Sequence, residues 1–202
     1  MSKAYDGVEW NFLAGMMSKL GFSSGWIDCN MRCVLSVSFS FLINGEVCGS
    51  LQPSLGLRQG DPLSLYLFFI YAEGLSCLFH IVENIGDISG FRCSRRGPKI
   101  SHLFFPDDSM IFTKASERDC RTIKHILEVY SRASGQVVNF NKSALCVSKS
   151  VSRQRVRICA STIGVQLVGC HERHLGLPSF VSKNKSEVFK SIKDRVWNRL
   201  YG

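Results

Sequence analysis

Trp10, Leu13, Met17 and Leu20 recur at three- and four-residue intervals, the spacing that lines one face of an α-helix. Asp6-Gly-Val-Glu9 precedes them as a capping box. Asp6 is expected to accept backbone N–H groups, Glu9 to reach back, and Gly21 to stop the helix. Leu35, Val37, Phe39 and Phe41 then alternate with Ser36, Ser38 and Ser40. That predicts a strand with one buried face, ended by Asn44-Gly45 as a hairpin turn.

A turn-rich stretch over residues 52 to 61 leads to a long apolar run over residues 63 to 82, with Pro62 suited to the first helical turn. The run has the length of a membrane span. Glu73, flanked by Gly74 and Ser76, would cost about 2.5–3.5 kcal/mol at a bilayer centre, so a helix buried in a protein core is expected and no membrane partner. Arg95-Arg-Gly-Pro98 forms a turn, followed by a hairpin with strands over residues 100 to 105 and 109 to 113. Ser116-Glu-Arg-Asp119 caps a second amphipathic helix carrying Ile123, Ile126, Leu127 and Tyr130, closed by Gly135. Residues 137 to 147 read as a strand or an extended loop. The pattern weakens past 150, until a basic helix from 186 to about 200 carries Val188, Phe189, Ile192 and Val196. Helices and antiparallel hairpins in this order predict an α+β domain.

The 202 residues are 45% hydrophobic and 20% charged, which fits a globular chain and excludes a disordered one. A net charge of +9 favours a polyanionic partner, because Lys/Arg-rich faces bind phosphate with release of counterions. Nine cysteines, irregularly spaced, together with polar, acid-bearing residues 1 to 10, point to an intracellular chain of cytoplasm or nucleus without a signal peptide. The thiols are expected to be small core residues with no disulfide-linked partner. Cys170, His171 and His174 could supply three metal ligands, but no fourth stands nearby. His102 and His125 read as surface or hydrogen-bonded core residues.

Asp107 and Asp108 lie between two runs of large apolar side chains. A buried carboxylate costs several kcal/mol unless it is paired, hydrogen-bonded or metal-bound. The pair is therefore either the polar tip of a hairpin or a holder of metal ions. Mg²⁺ binds through one or two carboxylates plus substrate phosphates, and two such ions serve phosphoryl transfer. That chemistry requires at least one further carboxylate from a neighbouring strand.

Four segments narrow the choice: Lys3-Ala-Tyr-Asp-Gly-Val-Glu-Trp10, Gly56-Leu-Arg-Gln-Gly-Asp-Pro-Leu-Ser64, Phe105-Pro-Asp-Asp108 and Ser134-Gly-Gln-Val-Val-Asn-Phe-Asn-Lys-Ser143. In this order they resemble the motif series of a non-LTR (LINE-type) retrotransposon reverse transcriptase, and Leu175-Gly-Leu-Pro178 resembles the block that follows. The resemblance implies a right-hand polymerase: a palm-like antiparallel sheet with helices on one face over residues 1–165, incomplete at its N-terminus, and the start of a thumb or connection over 166–202. It implies an RNA template, a DNA primer and deoxynucleoside triphosphates as partners, with Mg²⁺ as cofactor. Asp107 and Asp108 match the metal-binding catalytic acids. Tyr5 matches the aromatic under the nucleotide sugar, Arg58, Gln59 and Gly60 the loop on nucleotide and template, and Lys142 a lysine near the triphosphate.

The chain departs from the series in several places. The family's other metal-binding aspartate falls one position before Met1, and the fingers lie upstream of that. Pro106 stands where Ala or Val is usual, Leu65 where Pro is usual, and Leu55 where a basic residue is common. The expectation is a disarmed polymerase piece whose 202 residues show no measurable activity by themselves. The alternative is a non-catalytic, basic nucleic-acid-binding remnant using Arg95, Arg96, Lys149, Arg153, Arg155 and Arg157.

Overall fold

The first helix, α1 (Trp10–Lys19), starts from Glu9, whose backbone is extended and whose side chain caps nothing. Asp6 is therefore not the cap that the sequence suggests; it is an exposed residue in the turn before the helix. The helix end is as expected. Gly21 takes a left-handed φ of +88°, and the N–H groups of Gly21 and Phe22 donate back to Ser18 and Met17. The computed structural model describes residues 4–92, 94–105, 108–148, 150–167, 173–174, 177–178 and 185–201.

A second helix, α2 (Ser24–Leu35), was not foreseen. Its N-cap Ser23 accepts the Trp26 N–H, and only Asn30 and Val34 are buried, so its apolar period is faint. Leu35 thus closes a helix instead of opening a strand. The hairpin follows as β1 (Phe39–Ile43) and β2 (Glu46–Leu51), with Asn44 and Gly45 both at positive φ, as a primed two-residue turn requires. Its expected buried face is absent. Every β1 residue is exposed, Leu42 by 72%, and Val47 on β2 by 73%.

α3 (Pro62–Ile85) enters through Asp61, whose side chain accepts the Leu63 N–H, and ends at left-handed Gly86. Leu67, Phe68, Tyr71, Leu75 and Phe79 form its buried face. By length and composition it could cross a membrane, alone in this among the described residues. In the structure it packs against α1 and against α4 (Glu117–Ser134). The Phe12 ring meets Tyr71 and Tyr130 edge-on, at 5.0 and 5.9 Å between centroids. Gly74 admits that ring, since a Cβ there would lie 2.9 Å from Phe12 Cζ. The Tyr71 hydroxyl donates to the Ser134 carbonyl, and the Tyr130 hydroxyl to the Tyr71 carbonyl. Burial pushes both phenols up from their ordinary range.

Two short antiparallel pairs stand between these helices: β3 (Phe91–Arg92) with β4 (Lys99–Ile100), and β5 (His102–Phe104) with β6 (Ser109–Ile111). Ser116 caps α4 as expected, accepting the Asp119 N–H.

Residues 1–139 and 140–202 are two compact units. The second begins with a 3₁₀ turn, Phe140–Lys142. It continues with β7 (Ala144–Leu145) parallel to β8 (Gln166–Leu167), and with α5 (Arg153–Ile163) between them, capped by Ser152 and closed by Gly164. α5 was not foreseen either, since only Val156 and Cys159 on it are buried. The pair β9 (Arg173–His174) and β10 (Leu177–Pro178) is antiparallel, and α6 (Lys185–Tyr201) agrees with the expected basic helix.

The class is α+β, with mixed helices and small sheets. Among the described residues the strands pair as five two-stranded sheets, four of them antiparallel, and not as one continuous sheet. Of the seven described cysteines only Cys120 and Cys159 are buried, so the expected core role holds for those two alone. Cys170 and His171 lie outside the described residues.

Candidate nucleic-acid and nucleotide site

The acids come from the β5–β6 hairpin. Its register pairs His102 with Ile111, Leu103 with Met110 and Phe104 with Ser109. Beyond the strands, the Phe105 N–H donates to the Asp108 carbonyl at 2.8 Å, which holds the two sides of the turn together. Asp108 is exposed at the end of this hairpin. Pro106 and Asp107 lie outside the described residues.

Tyr5 reaches the same unit by another route. The Leu57 N–H donates to the Tyr5 carbonyl and the Gly56 N–H to the Val8 carbonyl, both at 2.9 Å, while the Trp10 indole N–H donates to the Gly56 carbonyl at 2.8 Å. Gly56 is at φ +95°, and a Cβ there would lie 3.0 Å from the Asp6 carbonyl oxygen. Only glycine fits both the backbone angle and the close approach. The segment holding Tyr5 and the loop holding Arg58, Gln59 and Gly60 are thus joined main chain to main chain. From this junction Arg58 lines a cavity of about 150 Å³, with Asp6, Asp61 and an apolar wall that includes Val34, Leu57 and Leu67. Gln59 and Gly60 are exposed and do not line it.

The two parts share α3. The Tyr5 ring stacks on Phe68 with centroids 4.8 Å apart and planes at 19°. His102 and Phe104 meet Phe79, with centroids at 5.2 and 6.1 Å. Phe68 and Phe79 are 11 residues apart, which is three helical turns; they lie on one face, about 16 Å apart along the axis. A single rigid helix therefore fixes the spacing between Tyr5 and the acid-bearing hairpin. Lys142 is exposed in the second unit.

Sequence reasoning overlooked Gln136. It is 2% exposed, its Nε2 donates to the Ala4 carbonyl at 2.8 Å, and its Oε1 has no partner. It braces the main chain beside Tyr5 from 132 residues away. A glutamine just after the αL glycine that closes α4 is a legible signal, but nothing local reveals its target. Among the described residues no three His, Cys, Asp or Glu side chains converge as a metal site would require.

Comparison with known proteins gives this arrangement a family. A model of the reverse transcriptase (RNA-dependent DNA polymerase) family matches residues 1–175. The chain belongs to that family. The retrovirus-related Pol polyprotein of the type-1 retrotransposable element R2 from Popillia japonica is 26% identical over 156 residues, 76% of this chain and 24% of that protein. An uncharacterized 149 kDa protein of transposon TX1 from Xenopus laevis is 25% identical over 70% of this chain and 10% of its own length. Together these relatives place the chain with the non-LTR, LINE-type retroelements. An uncharacterized mitochondrial protein of Arabidopsis thaliana, AtMg01250, is 49% identical over 69 residues, 34% of this chain. The chain spans 57%, 24% and 10% of these three relatives, less than two thirds of each.

Proposed function

We propose that residues 1–165 form the palm-like part of an RNA-directed DNA polymerase and that residues 166–202 lead into its thumb. The reaction is nucleotidyl transfer to a primer 3′ end on an RNA template. The observation that carries this reading is the common face of α3, where Phe68 holds Tyr5 and Phe79 holds the acid hairpin. A nucleotide whose sugar rests near Tyr5 and whose phosphates reach toward Asp107 and Asp108 needs two such groups at a fixed separation.

The donor set suits Mg²⁺ in kind, since adjacent hard carboxylates are what this ion takes beside substrate phosphates, and Asp108 is exposed. Asp107 and Asp108 would hold it, and it would neutralise charge that develops on the transferring phosphoryl group. Tyr5 orients the sugar and crowds a 2′-hydroxyl, while Arg58 offers a cation beside the junction of the two loops. Two acids make a weaker site than the three that a pair of ions requires. Residues 1–202 by themselves are therefore expected to incorporate no measurable nucleotide.

Primer extension on an RNA template tests this with two polypeptides. One is residues 1–202; the other adds an upstream strand bearing one aspartate, a fingers segment and Pro106→Ala. Extension by the second alone, abolished by Asp107→Ala or Asp108→Ala, is the expected result. Extension that survives either substitution would falsify the assignment of the acids.

A further inference from the structure

His102 lies on β5, five residues before Asp107, and both of its ring nitrogens are engaged. Nε2 is 3.0 Å from Ser76 Oγ on α3, and Nδ1 is 3.0 Å from Ser101 Oγ. The Ser101 hydroxyl donates in turn to Glu83 Oε2 on α3 at 2.8 Å. Ser101 is 3% exposed and Ser76 9%, so neither hydroxyl has ready water as a substitute partner. A hydroxyl carries one hydrogen, and that of Ser101 is committed to Glu83. Its oxygen can therefore only accept from His102, which puts the ring proton on Nδ1 and leaves Nε2 to accept from Ser76. The result is a one-way chain, Ser76 to His102 to Ser101 to Glu83, crossing twice between hairpin and helix. The Phe112 N–H adds a bond to the Ser101 carbonyl at 2.8 Å, joining the segment after β6 to the same point.

We infer that neutral His102 is a positioning residue for the acid pair: it clamps β5 to α3 and thereby fixes where the β5–β6 hairpin carries Asp108, the described member of that pair. This rests on the proposed role of those acids. The clamp exists in one protonation state. A second ring proton turns Nε2 into a donor that faces the donating Ser76 hydroxyl, so that contact must reverse or break. The titratable groups facing the ring are His80 and Glu83, both from α3, with the His80 ring centroid 5.2 Å away. Ile111 of β6 is the register partner of His102, and Phe79 and Phe104 flank the ring. Burial, with His80 adding to it and Glu83 opposing, holds the imidazole below its ordinary value. The sign follows. Since the folded ring binds its proton less readily than the unfolded one, the clamp is complete above the ordinary histidine pKa of about 6.5 and is lost as pH falls through the lower folded value.

The test is amide exchange in residues 1–202, read by NMR at Phe105 and Phe112 from pH 7.5 to pH 5 and corrected for intrinsic rate. The expected result is protection at pH 7.5 that falls about tenfold or more by pH 5 in the native chain. In His102→Phe, which keeps the ring stacking, and in Ser76→Ala the pH step disappears. Flat protection in the native chain, or the same step in His102→Phe, overturns the clamp, and the native titration decides it even where a variant fails to fold. In the extended polymerase, His102→Phe is expected to lower kcat at least tenfold with nucleotide KM within twofold, and to abolish the acid limb of the rate profile. An unchanged kcat also overturns it. Extension insensitive to Asp107→Ala sinks the reading of the acids instead, and leaves the exchange result to stand alone.

Discussion

The ring of Tyr5 lies on the ring of Phe68 at 4.8 Å between centroids, although 63 positions separate them in the chain. Phe68 is 6% exposed and Tyr5 half-buried, so the stack joins the loop before α1 to the buried face of α3. Tyr5→Ala is expected to cost about 1 kcal/mol beyond the lost apolar area, and Tyr5→Phe to cost less than half of the total. Thermal melts of the three chains check this. In the extended polymerase, Tyr5→Ala should also raise the use of ribonucleotides relative to deoxynucleotides, a ratio that competition assays read directly.

Gly56 and Gly60 share a backbone preference and differ in surroundings. Both sit at positive φ, +95° and +84°, but a side chain at Gly60 meets nothing within 4 Å, whereas one at Gly56 meets the Asp6 carbonyl at 3.0 Å. Gly60→Ala should cost about 1 kcal/mol, for backbone angle alone. Gly56→Ala should cost about 1–2 kcal/mol more, because it also pushes apart the main-chain junction that holds Tyr5. Denaturant midpoints of the pair decide it; equal costs would mean that the crowding relaxes freely.

Asp119 sets an acid limit on the stability of the first unit. Burial pushes its carboxyl up, but donation from the Ser116 and Thr113 hydroxyls and from backbone N–H groups outweighs that and holds it below the usual range. A depressed carboxyl contributes stability that is complete above its unfolded value near 3.8 and is lost as pH falls through the folded one. Asp119→Ala is expected to cost about 1–2 kcal/mol at pH 7, as loss of the acceptor for the Thr113 and Ser116 hydroxyls does. The difference from the native chain should shrink toward pH 3, and a difference that is constant over this range would refute the assignment.

The β1–β2 hairpin should tolerate charge on its apolar positions. Leu42 and Val47 are 72% and 73% exposed, so Leu42→Lys and Val47→Lys should each change stability by less than about 0.5 kcal/mol. Leu13→Ala, at a position with no exposure, should cost about 2–5 kcal/mol. A lysine at either hairpin position that destabilises as much as the Leu13 change would mean that this surface is covered in solution.

Local chemistry was legible in the sequence wherever a few neighbouring residues decide the outcome. Asn44-Gly45 makes its turn because both positions must take positive φ. Pro62 opens α3, Ser116 caps α4, and Gly21 and Gly135 end their helices for equally short-range reasons. The order of four motifs also sufficed for the family, since it depends on residue identity and not on packing. What the alternation of Phe39 and Phe41 with serine could not reveal is that every residue of β1 is exposed, on both faces of the strand. Asp6 does not cap α1, and the turn that holds it is fixed by bonds from Gly56 to Val8 and from Leu57 to Tyr5, far along the chain.

The sequence by itself determined the Asn44-Gly45 turn, the Ser116 cap, the long apolar helix and the family. Only the tertiary structure decided how they meet. Tyr5 and the acid hairpin share a face of α3, Gln136 braces Ala4, and His102 stands between two serines, because each contact joins residues that periodicity and propensity treat as independent. Such pairings depend on which surfaces close together when the core forms, and no local window of the chain contains that information.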